Sequence, residues 1–313
     1  MKRIYCLSVL INLFFTAVLT GAEIYDFIPR HSQQTVQINV NVLQGAEDLR
    51  DDMIRNFFRH SGIENKKYNI NDFNGLIEKI IIVTPDLTED LTFVLIKTRM
   101  PEKEFCRRLE ELTGIRQTTV GNPPAPVRTV TFAGSEIFPG LSTKKRTFAF
   151  AFLTPDIAVF AKDNLNAWRQ YRDRGLPESK RKHLAVPKAI AAGFLEMTPD
   201  FLAEYPLLPQ ILSASYSLSP GPADSLLIKA AASCANEKTA ELTQKQFQQY
   251  VMVGGIVLNQ VDPELMQDWL TSVRISREKN RILLNAFFTR QFLTKLEKAS
   301  DKLAENMKSN DGK

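Results

Sequence analysis

Histidine and cysteine are scarce, three of each in 313 residues, and that scarcity removes several chemistries before any motif is sought. His31, His60 and His183 fall at no i, i+4 or short-loop spacing, so the pattern gives no histidine-built metal site. Cys6, Cys106 and Cys234 are too few for disulfides to be the main support of so long a chain. With Cys6 in an N-terminal leader, one bridge between Cys106 and Cys234 is all the composition allows. Cys106 stands beside Phe105 and Leu109 in a helical pattern, where a small buried thiol is common, and the expectation is that the two stay unpaired.

The motifs of familiar enzymes are missing as well. A serine hydrolase needs its nucleophile on a sharp elbow such as G-x-S-x-G, and the nearest imitation, Gly134-Ser135-Glu136, reads as a turn between strands. Cys106 inside a helix among apolar neighbours is an inert thiol rather than a nucleophile. Without a P-loop or a G-x-G-x-x-G, nucleotide use has no support. Glycoside hydrolysis needs two acids facing each other across about 5–10 Å, whereas Asp51-Asp52, Glu89-Asp90 and Glu110-Glu111 are adjacent residues of helices or a turn and read as solvated surface. Asn69, Asn71, Asp72, Asn74 and Gly75 imitate a calcium loop, but Phe73 takes a ligand position and no bidentate glutamate follows. The catalytic residues are therefore unknown, and no cofactor-binding or metal-ligating residue is assigned.

Charge of one sign is wanting too. Forty Lys and Arg stand against 35 Asp and Glu, a formal net charge of +5. A nucleic-acid-binding domain concentrates its basic residues on one face, and one stretch is a candidate: Arg169, Arg172, Arg174, Lys180, Arg181 and Lys182. Asp173 and Glu178 dilute it, and Gly175, Pro177 and Ser179 interrupt it. It reads as a solvated linker, and nucleic acid is not an expected partner.

A long apolar run occurs once, at Ile4 to Leu19, preceded by Lys2 and Arg3 and followed by the small residues Thr20-Gly21-Ala22. That order is the export pattern, so 1–22 reads as a cleavable signal peptide and the mature chain begins at Glu23. Cys6 cannot be a lipidation site, because Glu23 occupies the place after Ala22. Retention of the run as a membrane anchor is the competing reading, since its length approaches the ~18–20 residues of a span.

In the remaining chain the periods of strands and helices are clear. Residues 35–43 alternate, with Val36, Ile38, Val40 and Val42 on one face and Gln37, Asn39 and Asn41 on the other, as in a half-buried strand. Leu49, Met53, Ile54, Phe57 and Phe58 recur at helical spacing. Residues 76–84 and 91–98 form a hairpin about Pro85-Asp86. Pro101 opens a helix carrying Phe105, Leu109 and Leu112, which Gly114 stops. Strands follow at 127–132, at Phe148, Phe150 and Phe152, and at 157–161, then a helix over 164–172. The phenylalanine stripe, with Phe160 opposite, and the lone Trp168 and Trp269 read as core.

Beyond the basic stretch the order recurs: strands at 189–197, 211–218 and 225–231, a helix from 235 toward 251 with Leu242 and Phe247 inward, and a short helix capped by Asp262. A hairpin at 273–276 and 282–288 and a final helix over 290–307 complete it. Ile96-Lys97 and Ile228-Lys229 each end a strand that feeds a helix. From element order the fold class is α+β, two similar halves, each a mostly antiparallel sheet packed against helices: 23–174 and 188–313, joined by the basic linker 175–187.

With its leader, its opening strand at Val36 to Val42 and its hairpin-then-helix ending, the chain resembles uncharacterised exported bacterial proteins built from two divergent copies of an α+β unit. The resemblance covers most of the mature chain. It implies a fold class and a compartment and carries over no functional residue. The function expected is that of an exported, non-catalytic binding or scaffolding protein of the periplasm or cell envelope. It would hold an envelope protein or a ligand on a sheet face or in the groove between its halves, and no cofactor is called for. Two other readings stay open: a secreted hydrolase whose carboxylates come from distant segments, and a membrane-tethered partner protein that keeps its first helix.

Overall fold

Runs of β-branched and aromatic residues punctuated by turns dominate the chain, and the computed structural model describes them over residues 23–44, 75–87, 92–113, 118–120, 127–132, 146–162, 165–171, 173–204, 210–260, 262–296 and 298. The leader with Cys6, the helical pattern at 49–58, His60, Gly134-Ser135-Glu136, Asp51-Asp52, Glu89-Asp90 and most of the calcium-like loop lie outside the described residues. The strands are β1 (Gln34–Asn39), β2 (Ile77–Thr84), β3 (Phe93–Thr98), β4 (Thr118–Val120), β5 (Val127–Phe132), β6 (Arg146–Thr154), β7 (Ile157–Lys162), β8 (Ala191–Glu196), β9 (Ile211–Pro220), β10 (Leu226–Cys234), β11 (Val273–Glu278) and β12 (Arg281–Phe288). The helices are α1 (Val40–Gln44), α2 (Glu102–Thr113), α3 (Asn166–Gln170), α4 (Glu178–Leu184), α5 (Pro199–Glu204), α6 (Glu237–Asn259), α7 (Pro263–Ser272) and α8 at 290–296.

All twelve strands join one antiparallel sheet in the order β11-β12-β10-β9-β8-β1-β2-β3-β7-β6-β5-β4. The expected α+β class holds. The sheet is continuous, because β1 pairs with β8 and closes what would otherwise be two exposed edges.

Register places two rows of side chains across the first face. One runs Ala149, Ala161, Phe93, Val83, Thr35, Phe194 and the other Ala151, Val159, Leu95, Ile81, Gln37, Ala192. Over β6 to β8 these rows are buried under the 3-10 turn Ile24–Phe27, Ile28, Leu165, Trp168, Leu176 and Leu184. On the opposite face α2 packs Phe105 and Cys106 against Leu76 and Phe150, while α6, α7 and α8 cover β9 to β12.

The opening strand departs from its expected polarity. β1 ends at Asn39, Val40 turns into α1, and the buried positions are Thr35 and Gln37, at 0% and 2% exposure, with Val36 and Ile38 only half-buried. The polar face of β1 is the one beneath the cover, where Thr35 Oγ1 has no hydrogen-bond partner among the described residues, and a buried polar group is stable in place when it is satisfied. Gln37 meets that condition. Tyr25 Oη donates to its Oε1 at 2.6 Å, and its Nε2 donates to Asn39 Oδ1 at 2.8 Å and to the Leu184 carbonyl at 3.2 Å.

The basic stretch also departs from expectation. Rather than a solvated linker it forms α4, with Leu176 and Leu184 fully buried. Arg181 reaches Glu23 and Asp26, and Lys180 reaches Glu196 and the Ser32 carbonyl. The stretch looked solvated because its two anchoring leucines are isolated among charges. Leu242 is a third correction, at 57% exposure on the outer side of α6, since the inward arc is set by Ala240, Thr243, Phe247 and Gly255. Gly254 and Gly255 let α7 approach closely: a Cβ on Gly254 would stand 3.3 Å from the Trp269 indole, whose Nε1 donates to the Val251 carbonyl at 2.8 Å. Asp262 caps α7 as expected, accepting from Glu264 N.

Gln37→Ala should lower folding stability by about 1–3 kcal/mol, by stranding the Leu184 carbonyl and leaving the Tyr25 hydroxyl only its long contact from Lys79 Nζ at 3.4 Å. Leu184→Ala should cost about 2–5 kcal/mol by opening a cavity beneath α4. Urea midpoints of the two variants check both, and wild-type midpoints would show that α4 and the N-terminal turn are not fastened through these groups.

Candidate functional site

The two rows on the first face do not stop at β8. The first continues from Phe194 through Ser215, Ala231, Leu283 and Ser276, and the second from Ala192 through Ser217, Lys229, Asn285 and Arg274. At β9 the same face thus changes from large apolar residues to serine, alanine and lysine. Small polar residues present nothing for a covering layer to bury against. Beside α4 the face opens instead into a cleft with two adjoining cavities.

The larger cavity, about 390 Å³, is lined by Ser179, Lys180, Glu196, Ser213, Ser233 and Arg281 among others. The smaller, about 270 Å³, is lined by Val186, Ser217, Lys229, Leu283 and Asn285 among others. Lys182, His183, Ser215 and Ala231 line both. The volumes suit a small ligand or part of a larger one.

Positive charge prevails there. Glu196 accepts from Lys180 Nζ at 2.6 Å, a pairing in which the lysine is largely shielded from solvent. Among the described residues no carboxylate pairs with Lys182, Lys229 or Arg281, and the hydroxyls of Ser213, Ser215, Ser217 and Ser233 bond to no other described residue. His183 registers the field. Its pKa lies below the ordinary 6.5 because partial burial strips water from its charged form and because Lys182 and Arg281 repel a proton, with Glu196 opposing.

The other sequence candidates are placed elsewhere. His31 is exposed beside Asp173, 3.6 Å away. Cys106 packs with Leu76, Phe105 and Phe150 in one cluster and Cys234 with Ile211, Ala240 and Ile282 in another, and no disulfide joins them. Burial pushes the Cys234 thiol up, away from a reactive thiolate. Glu110 and Glu111 lie exposed on α2. Phe150 is fully buried and stacks on Phe160, with ring centroids 4.8 Å apart, and Phe152 meets Phe105 edge to face, so these members of the stripe are core, while the Phe148 side chain lies outside those described. Trp168 packs as part of the sheet cover with the Arg174 guanidinium 3.7 Å from its ring centroid, and Trp269 stacks on Phe288. Among the described residues no three His, Cys, Asp or Glu side chains gather where a metal could sit, and no helix is long and apolar enough to cross a membrane.

Sequence reasoning missed the cleft, although a signal was present. Ser213, Ser215 and Ser217 alternate along β9, but a serine row marks the open half of a sheet face only once the partner strands are known. It also missed the outer side of α6, where Tyr250, Met252, Val253, Ile256 and Val257 are 46–62% exposed and nothing among the described residues covers them.

This arrangement of sheet and helices has a counterpart among solved structures. The likeness is to TP0453. Crystal form III of TP0453 superposes with a TM-score of 0.53 over 90% of this chain and 99% of that one, at 8% identity. Crystal form IV gives 0.50 over 88% and 96%, at 7% identity. At these identities the likeness shows the fold alone. No protein-family model and no curated protein matches the chain.

His183 makes the cleft pH-sensitive. Its folded pKa lies below its unfolded value, so the stability it contributes is complete above pH 6.5 and is lost as pH falls through the lowered value. Thermal melts across about pH 5–8 should show His183→Gln losing less Tm on the acid side than wild type. Identical profiles would contradict the placement of His183 between Lys182 and Arg281.

Proposed function

We propose that this chain is an exported, non-catalytic binding protein of the periplasm or cell envelope that holds its ligand in the cleft between α4 and the serine-floored half of the sheet. The observation that carries this reading is the change of character along one sheet face, buried under a tied-down cover over β6 to β8 and left as a polar cleft over β9, β10 and β12. A rigid strand floor positions side chains more firmly than loops do, which suits recognition.

Export enters through the leader 1–22. Cleavage after Ala22 would create an α-ammonium at Glu23, whose backbone nitrogen already donates to Asp26 Oδ2 at 3.0 Å and whose side chain pairs with Arg181. The new charge would therefore meet a carboxylate. Support for a doubled body, 23–174 and 188–313 about the stretch 175–187, comes from strand order. β1-β2-β3 is followed by α2 and later by the β6–β7 hairpin, whose β7 lies on β3. Likewise β8-β9-β10 is followed by α6 and α7 and by the β11–β12 hairpin, whose β12 lies on β10. Ile96-Lys97 lies at the end of β3, but Ile228-Lys229 lies in the middle of β10, which runs on to Cys234, so this residue match does not add to the strand order.

A secreted hydrolase is the second reading, because His183, Glu196 and several serines share the cleft. Against it, His183 bonds to no serine among the described residues and Glu196 is engaged by Lys180. The test is a fragment screen followed by NMR on the processed protein, with a panel that includes esters, glycosides and neutral and charged fragments. Fragments should shift the amide signals of Ser215, Ala231 and Leu283 and be recovered unchanged. Turnover abolished by His183→Ala would replace the proposal with the hydrolase, and fragments seated only elsewhere would end the cleft reading. Mass measurement of the exported protein should give Glu23 as its first residue; an intact leader would favour the tethered form.

A further inference from the structure

Resting on the cleft reading, we infer that the ligand is a small, multiply charged anion carrying phosphate or carboxylate groups. Three cations without a carboxylate partner among the described residues, Lys182, Lys229 and Arg281, converge on the cleft from three elements: Lys182 from α4, Lys229 from mid-β10, and Arg281 from the first position of β12. The cleft's one carboxylate, Glu196, is neutralised by Lys180. Like charges gathered around a concave surface repel one another and are retained at a cost, which an anion of opposite sign relieves.

The floor fits the same chemistry. Serine hydroxyls at positions 213, 215, 217 and 233 rotate to donate to an oxyanion, and an ionised acceptor makes such hydrogen bonds shorter and stronger than neutral ones. Lys182, with His183 and Ser215, borders both cavities, while Lys229 borders the smaller and Arg281 the larger. An anion with two charged ends therefore spans the cleft, one end toward Lys229 and the other toward Arg281, with Lys182 between. Arginine's planar fork suits a bidentate oxyanion at the Arg281 end. The open volumes of about 270 and 390 Å³ are large enough for a compact anion of this kind.

The charged groups around His183 are Lys180 and Lys182 on its own helix, Lys229 from β10, Arg281 from β12 and Glu196 from β8, of which Lys182 and Arg281 oppose its proton and Glu196 favours it. A bound anion reverses the repulsion felt by its proton, so binding takes up a proton and tightens as pH falls below the ordinary histidine range.

Calorimetric titration of the processed protein with tripolyphosphate and with citrate at low salt tests this. At least one of the two should bind one per chain with an affinity that falls as salt is added, and the stronger binder separates phosphate from carboxylate. Lys229→Glu and Arg281→Glu replace exposed side chains, so both variants should keep wild-type urea midpoints while losing about tenfold or more in affinity. Lys238→Glu, on α6 over the opposite face, should change it by less than about twofold. Undiminished affinity in both charge reversals overturns the inference. Neutral fragments seated in the cleft while neither anion binds also overturn it and leave the cleft reading standing, whereas no probe seated there ends both. A single-stranded oligonucleotide that binds where the small anions do not overturns it in favour of a polymer.

Discussion

One buried amide holds the arrangement together. Gln37, at the middle of the sheet, takes a hydrogen bond from Tyr25 of the N-terminal turn and gives one to the last carbonyl of α4. A side chain that is 2% exposed and hydrogen-bonded from both ends costs little in place, but it leaves unsatisfied groups if any of the three segments moves away. The hydrophobic residues beneath, Ile24, Ile28, Leu176 and Leu184 among them, supply the larger share of the driving force. Gln37 fixes where they sit.

That fixing determines how far the cover extends. Because α4 is bound to β1 and its Lys180 to Glu196 on β8, the cover ends over β8, and the rows of the sheet continue beyond it as serine, lysine and asparagine. The cleft is thus the margin of a deliberate half-cover rather than a packing defect. Its positive character arises from the same economy of placement, since three carboxylates around α4 are engaged in tying it down, Glu23 and Asp26 by Arg181 and Glu196 by Lys180, while Glu178 in the first turn of α4 lies exposed and lines neither cavity.

Much of the fold could be read from periodicity. The hairpins β2–β3 and β11–β12, the helix opened by Pro101 and the Asp262 cap all follow from local chemistry, and all appear where that chemistry puts them. What escaped depends on neighbours distant in sequence. The burial of Thr35 and Gln37 needs a cover contributed by residues up to Leu184. The packing of α4 turns on two leucines in a stretch otherwise dominated by charge. The open face of β9 looks like any half-solvated strand until β8, β10 and β12 are laid beside it. Leu242 failed by a single helical step, because two adjacent residues on a helix lie about 100° apart. Of the candidate site the sequence offered only His183 and part of the basic stretch, and it assigned both to a linker.

Thr35 and Ser215 occupy the same row of the same sheet face, separated only by Phe194, and one lies under the cover while the other lines the cleft. The sharpest test replaces each with cysteine and measures the rate of modification by anionic and cationic thiol reagents of similar size in the folded protein, with Cys106 and Cys234 buried as background. Ser215→Cys should react readily, and faster with the anionic reagent, while Thr35→Cys stays at the wild-type rate. Equal protection at both positions, or a faster reaction with the cationic reagent at 215, would contradict a half-covered sheet with a positive cleft at its margin.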